Sequence, residues 1–159
     1  MTIEDLNTMD RASFTATLGW IFEESPWVAE RVWASRPFAD VAALYRAMVR
    51  EVEQATPGEQ LALLQAHPDL GTRARMSAAS TSEQAGLDFD QRFTNLNVRY
   101  REKFGFPFLY AVKGSTRQDI FRALEQRFPS DRADEFAEGL RQVYKIAAGR
   151  LQEICLQEI

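Results

Sequence analysis

One short stretch of this 159-residue chain resembles a β-strand, and no second stretch is available to pair with it. The stretch comprises residues 106–112, with the sequence Phe-Pro-Phe-Leu-Tyr-Ala-Val, in which Pro107 lacks a backbone donor. Because a strand needs a partner for its backbone hydrogen bonds, a sheet is not expected. We therefore predict an all-α protein in which residues 106–112 form an extended segment buried between helices.

The rest of the chain shows apolar residues at helical spacing, interrupted by capping and helix-breaking residues. Residues that precede such segments are the predicted N-caps: Asp10, Ser25, Asp40, Thr56, Ser80, Asp88 and Ser115 or Thr116. A helix over residues 89–104 is predicted to end at Gly105. Together these segments predict a bundle of about eight helices, which forms a single domain over residues 1–159.

Charge and cysteine content limit the possible functions. The formal net charge of −4 does not favour nucleic-acid binding, which requires clustered positive charge. Cys155 is the single cysteine, so no disulfide forms within the chain, and with one histidine the usual zinc sites are not expected. No apolar run is long enough to span a membrane, and the first residues lack a secretory signal pattern. We expect a cytoplasmic protein without nucleic-acid or membrane partners.

His67 is the single histidine, and Pro68 should end the helix that precedes it. An imidazole at a helix terminus can transfer protons near neutral pH. A capping or core histidine is the commoner role in an arbitrary protein, and Asp69 could equally be a turn residue. His67 is therefore a candidate acid/base whose role depends on its neighbours in the fold.

Glu83 is the candidate acidic partner of His67. Its spacing from Ser80 is that of a capping box, which predicts a short helix with Glu83 and Gln84 in its first turn and an end at Gly86. Residues 70–79 are predicted to form a loop before this helix. The spacing does not decide whether Glu83 acts in capping or in catalysis.

Motifs of other enzyme classes are absent from the sequence. There is no Gly-x-Ser-x-Gly nucleophile pattern, no Gly-x-Gly-x-x-Gly fingerprint and no P-loop. Cys155 lies in an amphipathic helical pattern and is predicted to be an inert packed thiol. Chemistry that depends on a bound cofactor is therefore not expected.

Several blocks of residues, in a fixed order, carry a resemblance to a known family. The blocks are residues 22–30, 36–38, 66–71, 80–84 with 86–88, Asn97 and Tyr100 with 103–108, and 146–147 with 150–151. They resemble the family of 2-oxo-4-hydroxy-4-carboxy-5-ureidoimidazoline (OHCU) decarboxylases of urate breakdown and cover nearly the whole chain. The resemblance implies an all-helical, often dimeric carboxy-lyase without metal or organic cofactor. Its substrate is a small anionic ureido-imidazoline, and its product is (S)-allantoin.

The resemblance also implies roles for particular residues. His67 is then the catalytic acid/base, with Glu83 and Arg150 as the other catalytic residues. The implied substrate-binding residues are Pro68, Ser80, Thr81, Ser82, Gln84, Phe106, Pro107, Phe108, Leu109 and Tyr110. Arg141 and Arg150 lie on the same predicted helix, and the sequence does not decide which of them serves as the cationic residue.

Two other functions are compatible with the sequence. The first is a helical interaction domain without enzymatic activity, since amphipathic helices are common to most all-α domains. The second is a lyase or hydrolase that acts on a related ureido-imidazoline in the same pocket. The rate of allantoin formation from freshly generated substrate distinguishes the first of these from a decarboxylase.

Overall fold

The structure, a computed structural model, describes residues 1–71, 77–84, 87 and 89–159. These residues form nine α-helices, a 3₁₀-helix at Trp33–Ser35 and no β-strand. In chain order the helices are α1 (Ile3–Asn7), α2 (Arg11–Leu18), α3 (Trp27–Val32), α4 (Val41–Glu53), α5 (Pro57–Ala66), α6 (Ala78–Glu83), α7 (Gln91–Phe104), α8 (Arg117–Arg127) and α9 (Arg132–Cys155). The all-α prediction is confirmed. Within the described ranges, no helix is both long and apolar enough to cross a membrane.

The helices form two compact units. The first contains Met1–Leu63 and Tyr144–Ile159, and the second contains Leu64–Val143. The boundaries fall inside α5 and α9, so each of these helices contributes residues to both units. All the predicted site residues except Arg150 belong to the second unit. The single domain over residues 1–159 stays a prediction.

The first unit has a conventional apolar core. The side chains of Leu44, Met48 and Val52 recur every fourth residue on α4 and are completely buried, as is Phe14 on α2. Leucine, methionine and valine at this spacing place one continuous apolar stripe against the neighbouring helices. Burial of each such side chain contributes about 1.5–3 kcal/mol to folding.

The first unit also holds all three tryptophans of the chain, which are Trp20, Trp27 and Trp33. The guanidinium of Arg31 lies 4.5 Å from the ring centroid of Trp27, and that of Arg36 lies 4.1 Å from Trp33. Each pair is a cation–π contact.

Aromatic rings form the core of the second unit. Tyr100 on α7 is completely buried, and its ring centroid lies 4.4 Å from that of Phe104 and 5.4 Å from that of Phe108. Gly105 ends α7 with a φ of 83°, a conformation that glycine adopts without strain, as predicted. Residues 106–112 then connect α7 to α8 without forming helix or strand, and we call them the ribbon. Phe106 and Phe108 anchor the ribbon because both are completely buried.

Several predicted helix starts are confirmed and others are wrong. Asp10, Asp40 and Thr116 cap α2, α4 and α8 through their side chains. Ser25 does not cap α3, because its hydroxyl donates to the carbonyl of Glu23 at 2.8 Å. Helix α1 was not predicted, although Thr2 begins it with a capping box.

The start of α6 is one turn earlier than predicted. Ser77 is the N-cap, so Ser80 lies inside the helix and Glu83 is its last residue. The predicted capping box of Ser80 and Glu83 is therefore wrong, and the predicted loop over 70–79 is wrong at residues 78 and 79. The predicted helix end at Gly86 and cap at Asp88 lie outside the described residues, and Asp90 caps α7.

Candidate active site

His67 follows directly after the last residue of α5, because Pro68 prevents that helix from continuing. Its backbone N–H donates to the carbonyl of Leu64 at 3.4 Å, and only 4% of the residue is exposed. The predicted helix end is confirmed. A buried imidazole can take up or release a proton near neutral pH when a substrate reaches it.

The turn after His67 is held by side chains of α7. Nδ2 of Asn97 donates to the carbonyl of Leu70 at 3.3 Å, and the guanidinium of Arg101 pairs with Asp69 at 2.9 Å. Asn97 is itself 7% exposed, so its bond to the turn is shielded from water. These contacts fix the backbone that carries the imidazole.

Gly71 joins this turn to the residues that follow α6. Its N–H donates to Oε1 of Gln84 at 2.9 Å. The φ of Gly71 is 83°, and a Cβ atom at this position would lie 2.9 Å from the ring of Phe89. Only glycine satisfies both conditions without strain. The structure thus brings the His67 turn and Gln84 together.

The serine- and threonine-rich helix α6 contains four of the predicted site residues. Its N-cap, Ser77, accepts from the N–H of Ser80 at 3.0 Å and donates its hydroxyl to Oγ of Ser80 at 3.1 Å. Ser80 is 5% exposed, whereas Thr81 and Ser82 are exposed. Glu83 is partly buried at the last position of the helix, one residue before Gln84.

Gly105, the residue before the ribbon, is bonded to α5, the helix that ends directly before His67. Nε2 of Gln65, two residues before His67 on α5, donates to the carbonyl of Gly105 at 3.0 Å. Phe106, Pro107, Phe108 and Leu109 are buried, and Tyr110 is partly buried. One hydrogen bond therefore links the α5 terminus to the residue before the ribbon, as another links the turn to Gln84.

Two side chains hold the ribbon further along. Arg127, the last residue of α8, donates from Nη1 to the carbonyl of Leu109 at 2.7 Å. Oε1 of Gln142 on α9 accepts from the N–H of Ala111 at 3.0 Å. The backbone of the ribbon is thereby fixed to the end of α8 and to the middle of α9.

A buried polar network surrounds the guanidinium of Arg127. Its Nε donates to Oε1 of Glu135 at 2.9 Å, and the hydroxyl of Tyr100 donates to the same oxygen at 2.5 Å. Glu135 is 3% exposed. Burial, together with the hydrogen bond to Glu135, raises the pKa of Tyr100 far above its ordinary value, so the phenol stays protonated as a donor.

Arg150 lies in the first unit, where it is 2% exposed. Its Nη2 donates to a carboxylate oxygen of Glu23 at 2.9 Å, and its Nη1 donates to the carbonyl of Trp20 at 3.1 Å. Arg141 lies in the second unit, is exposed and pairs with Glu138 at 2.6 Å. The partner of Arg150 is therefore a buried carboxylate, and its predicted catalytic role stays a prediction.

A cavity of about 480 Å³ adjoins the turn after His67, a volume typical of sites for small molecules. It is lined by Asp69, Leu70, Gly71, Thr94, Asn97, Val98, Arg101 and Glu102. Asp69, Leu70 and Gly71 directly follow Pro68 in the sequence, and none of the lining residues was predicted to bind substrate. In the part of the chain that the structure describes, no three His, Cys, Asp or Glu side chains are grouped to hold a metal ion.

The residues that bind Tyr100 and Arg150 from distant positions in the chain could not be predicted from the sequence. Glu135 lies 35 positions after Tyr100, and Glu23 lies 127 positions before Arg150. No short-range spacing connects such pairs. The family resemblance included Glu23, Asn97 and Tyr100 but gave none of them a role.

Comparison with known proteins places these features in a family. The family model described as OHCU decarboxylase matches residues 7–152. A 2-oxo-4-hydroxy-4-carboxy-5-ureidoimidazoline decarboxylase of Halalkalicoccus jeotgali is 44% identical over 97% of this chain and 92% of its own length. The uric acid degradation bifunctional protein PucL of Bacillus subtilis is 45% identical over 99% of this chain, which spans 33% of that protein.

Solved structures agree with the sequence relatives. A crystal structure of (S)-allantoin synthase superposes with a TM-score of 0.79 at 34% identity and covers 96% of this chain and 53% of that one. A crystal structure of OHCU decarboxylase in the presence of (S)-allantoin shares the fold, with a TM-score of 0.70 at 19% identity, over 94% of this chain and 100% of that one. Helical fold, residue blocks and full-length similarity agree, and the chain belongs to the OHCU decarboxylase family.

Proposed function

We propose that this chain is a carboxy-lyase that converts OHCU to (S)-allantoin without a cofactor. Family membership over residues 7–152 supports the reaction. The observation that carries the site is the pair of hydrogen bonds on either side of His67. Gln65 binds Gly105, directly before the ribbon, and Gly71 binds Gln84 after α6. These two bonds join Gly105 and Gln84 to residues that lie two and four positions from His67, and this supports the proposal of a shared site.

The substrate can accept the electrons that decarboxylation releases. Many decarboxylases use a bound cofactor for this purpose, but OHCU has a ring C=N bond next to the carbon that bears the carboxylate and the hydroxyl. When the bond to CO₂ breaks, its electron pair forms a ring C=C bond, and the ring nitrogen takes a proton. The resulting enol gives allantoin when its hydroxyl proton leaves and a proton is added to the neighbouring carbon.

His67 transfers protons in this proposal. The proton added to carbon must arrive on one face of the ring, because the product has a single handedness. A buried imidazole on a fixed turn suits this task, since Asn97 and Arg101 restrain the turn that follows it. General acid/base catalysis of this kind contributes about 10²–10⁴-fold to the rate.

The remaining predicted residues bind and orient the ring. Glu83 and Gln84 would accept hydrogen bonds from the ureido and ring N–H groups, and the ribbon would offer its backbone groups. Arg150 is the cationic residue that the family resemblance implies. A cation that binds substrate and transition state equally would not raise the turnover rate, so its role is to stabilise charge that develops during the reaction.

The proposal is tested by supplying freshly generated substrate to the purified protein and to the His67→Asn variant. We expect the wild-type protein to accelerate formation of optically active (S)-allantoin. The variant should lose about 10²–10⁴-fold in turnover because asparagine cannot transfer a proton at neutral pH. Circular dichroism should show unchanged helicity. Wild-type turnover in the variant would remove His67 from the mechanism.

Glu83→Gln tests the acidic residue. The structure leaves Glu83 at the end of α6, where an N-terminal capping role does not apply. We expect thermal stability to be retained and turnover to fall by about 10- to 100-fold, because the variant loses a charged hydrogen-bond acceptor. Glu125→Gln, at an exposed position of α8, is the matched control and should leave turnover unchanged. Equal turnover in both variants would assign Glu83 a structural role.

We also propose that two copies of the chain associate and that the protein works in the cytoplasm. The family resemblance supports the dimer, and the single cysteine fits a reducing compartment. Light scattering on the purified protein should give twice the mass of one chain. A monomer at the concentrations of the activity assay would contradict the dimer.

A further inference from the structure

Side chains of α8 and α9 bind the middle of the ribbon through Leu109 and Ala111. The carbonyl of Leu109 accepts from Arg127, and the N–H of Ala111 donates to Gln142. In an extended chain, the backbone groups of alternate residues point to the same side and those of the residues between point to the other. Leu109 and Ala111 therefore define one edge of the ribbon, and Phe108 and Tyr110 define the opposite edge.

Val112 on the opposite edge accepts from the N–H of Ser115 at 2.9 Å, whereas Phe108 and Tyr110 have no backbone partner in the part of the chain that the structure describes. No described residue forms a hydrogen bond with the backbone N–H or C=O of Phe108 or Tyr110. Phe108 is nevertheless completely buried. Because buried backbone groups nearly always have partners, this edge is suited to receive a polar ligand.

Arg127 is held in one orientation by contacts on three sides. Its Nε binds Glu135, its Nη1 binds Leu109, and its guanidinium lies 4.5 Å from the ring centroid of Phe108. Tyr100 binds the same oxygen of Glu135 and so fixes the carboxylate. A planar guanidinium can hold two acceptors at a set angle, which the single ammonium of lysine cannot do.

We propose that Arg127 is a positioning residue, which with Gln142 fixes the rotation of the ribbon so that the backbone groups of Phe108 and Tyr110 face the substrate. This inference rests on the proposed function and adds to it a role for residues that do not touch the ring. Arg127 and Gln142 bind opposite ends of the tripeptide 109–111. Substitution of either residue therefore tests the orientation of the ribbon through a different hydrogen bond.

The test compares Arg127→Lys and Gln142→Leu with Arg122→Lys, an exposed arginine of the same helix as Arg127. Steady-state kinetics should show kcat/KM lower by about 10- to 100-fold in the first two variants, because small displacements of a binding group have effects of this size. Arg122→Lys should match the wild type. Gln142→Leu leaves the buried Arg127–Glu135 pair intact, so it keeps the test decisive if Arg127→Lys folds poorly.

Hydrogen exchange of the ribbon amides supplies a readout that a general loss of stability would not reproduce. In the wild type, (S)-allantoin should slow the exchange of the amides of Phe108 and Tyr110. In both variants this slowing should be smaller, while the exchange rates of the α7 amides should match those of the wild type. An active wild type whose two variants keep full kcat/KM and full protection overturns the positioning role alone. An inactive wild-type protein overturns the proposed function and this inference with it.

Discussion

At Gly71, the backbone conformation of a single residue determines a contact of the candidate site. Its positive φ and its approach to Phe89 exclude a side chain, and its N–H is the donor that holds Gln84. The sequence placed Gly71 in a block of residues that resembles the family but gave no reason for glycine there. The reason is visible only in the tertiary contact with Phe89, 18 positions later in the chain.

Gly71→Ala should destabilise the protein and reduce activity. Alanine is strained at this positive φ, and its methyl group displaces the ring of Phe89. Together these effects lower the free energy of unfolding by about 1–3 kcal/mol. Gly149→Ala is the control, because Gly149 lies within α9 and a Cβ atom there meets nothing within 4 Å. The control should raise stability by about 0.5–1 kcal/mol, since alanine favours the helix. Urea denaturation measures both, and equal shifts in the same direction would contradict this account.

Helix ends show which parts of the fold the sequence could predict. Caps at Asp10, Asp40 and Thr116 were predicted correctly, because each bonds to a backbone N–H three residues later. The cap of α6 was predicted one turn late, since Ser77 and Ser80 both have suitable side chains and a six-residue helix has too little periodicity to choose between them. Local sequence signals thus predict the boundaries of a long helix better than those of a short one.

The supporting residues of the site could not be predicted in the same way. Glu135 bonds to Tyr100 and Arg127, which lie on α7 and α8, and Arg127 reaches the carbonyl of Leu109, 18 positions earlier. Such contacts depend on how three helices pack, which no pattern within one helix encodes. The segments that carry His67, Gln84 and the ribbon were identified from the sequence, and the bonds that join them were not.

Asp90→Ala should destabilise α7, the helix that restrains the turn after His67. Oδ1 of Asp90 accepts from the N–H of Phe93 at 3.0 Å, and loss of such a cap costs about 0.5–2 kcal/mol. Asp90→Asn keeps the acceptor and should lose much less. Thermal denaturation at neutral pH compares the two variants. If Asn is as destabilising as Ala, charge rather than the capping bond stabilises this helix end.

Acid should destabilise the chain as a whole, because several carboxyl groups have a lower pKa in the folded state than in the unfolded state. Backbone N–H donors lower the pKa of Asp10, Asp90 and Asp119, and the guanidinium of Arg31 lowers the pKa of Glu59 to about 2. The stabilisation is complete above the pKa of the same groups in the unfolded chain, near pH 4. It is lost as the pH falls through the lower folded values, because the unfolded state binds protons first.

Urea denaturation at pH 7, 5, 4 and 3 measures this dependence. The midpoint should change little from pH 7 to pH 5 and fall below about pH 4. Asp90→Asn, which cannot titrate at that position, should show a shallower decline than the wild type. A wild-type midpoint that stays constant down to pH 3 would contradict the assignment of these carboxylates.

The placement of Trp20, Trp27 and Trp33 in the first unit determines what intrinsic fluorescence can report. Tryptophan emission reports the environment of the indole rings in the first unit alone, because the unit with His67 and the ribbon contains no tryptophan. Far-ultraviolet dichroism follows helices in both. A tryptophan introduced on the exposed face of α7 would give the second unit its own emission and show whether both units unfold in one transition.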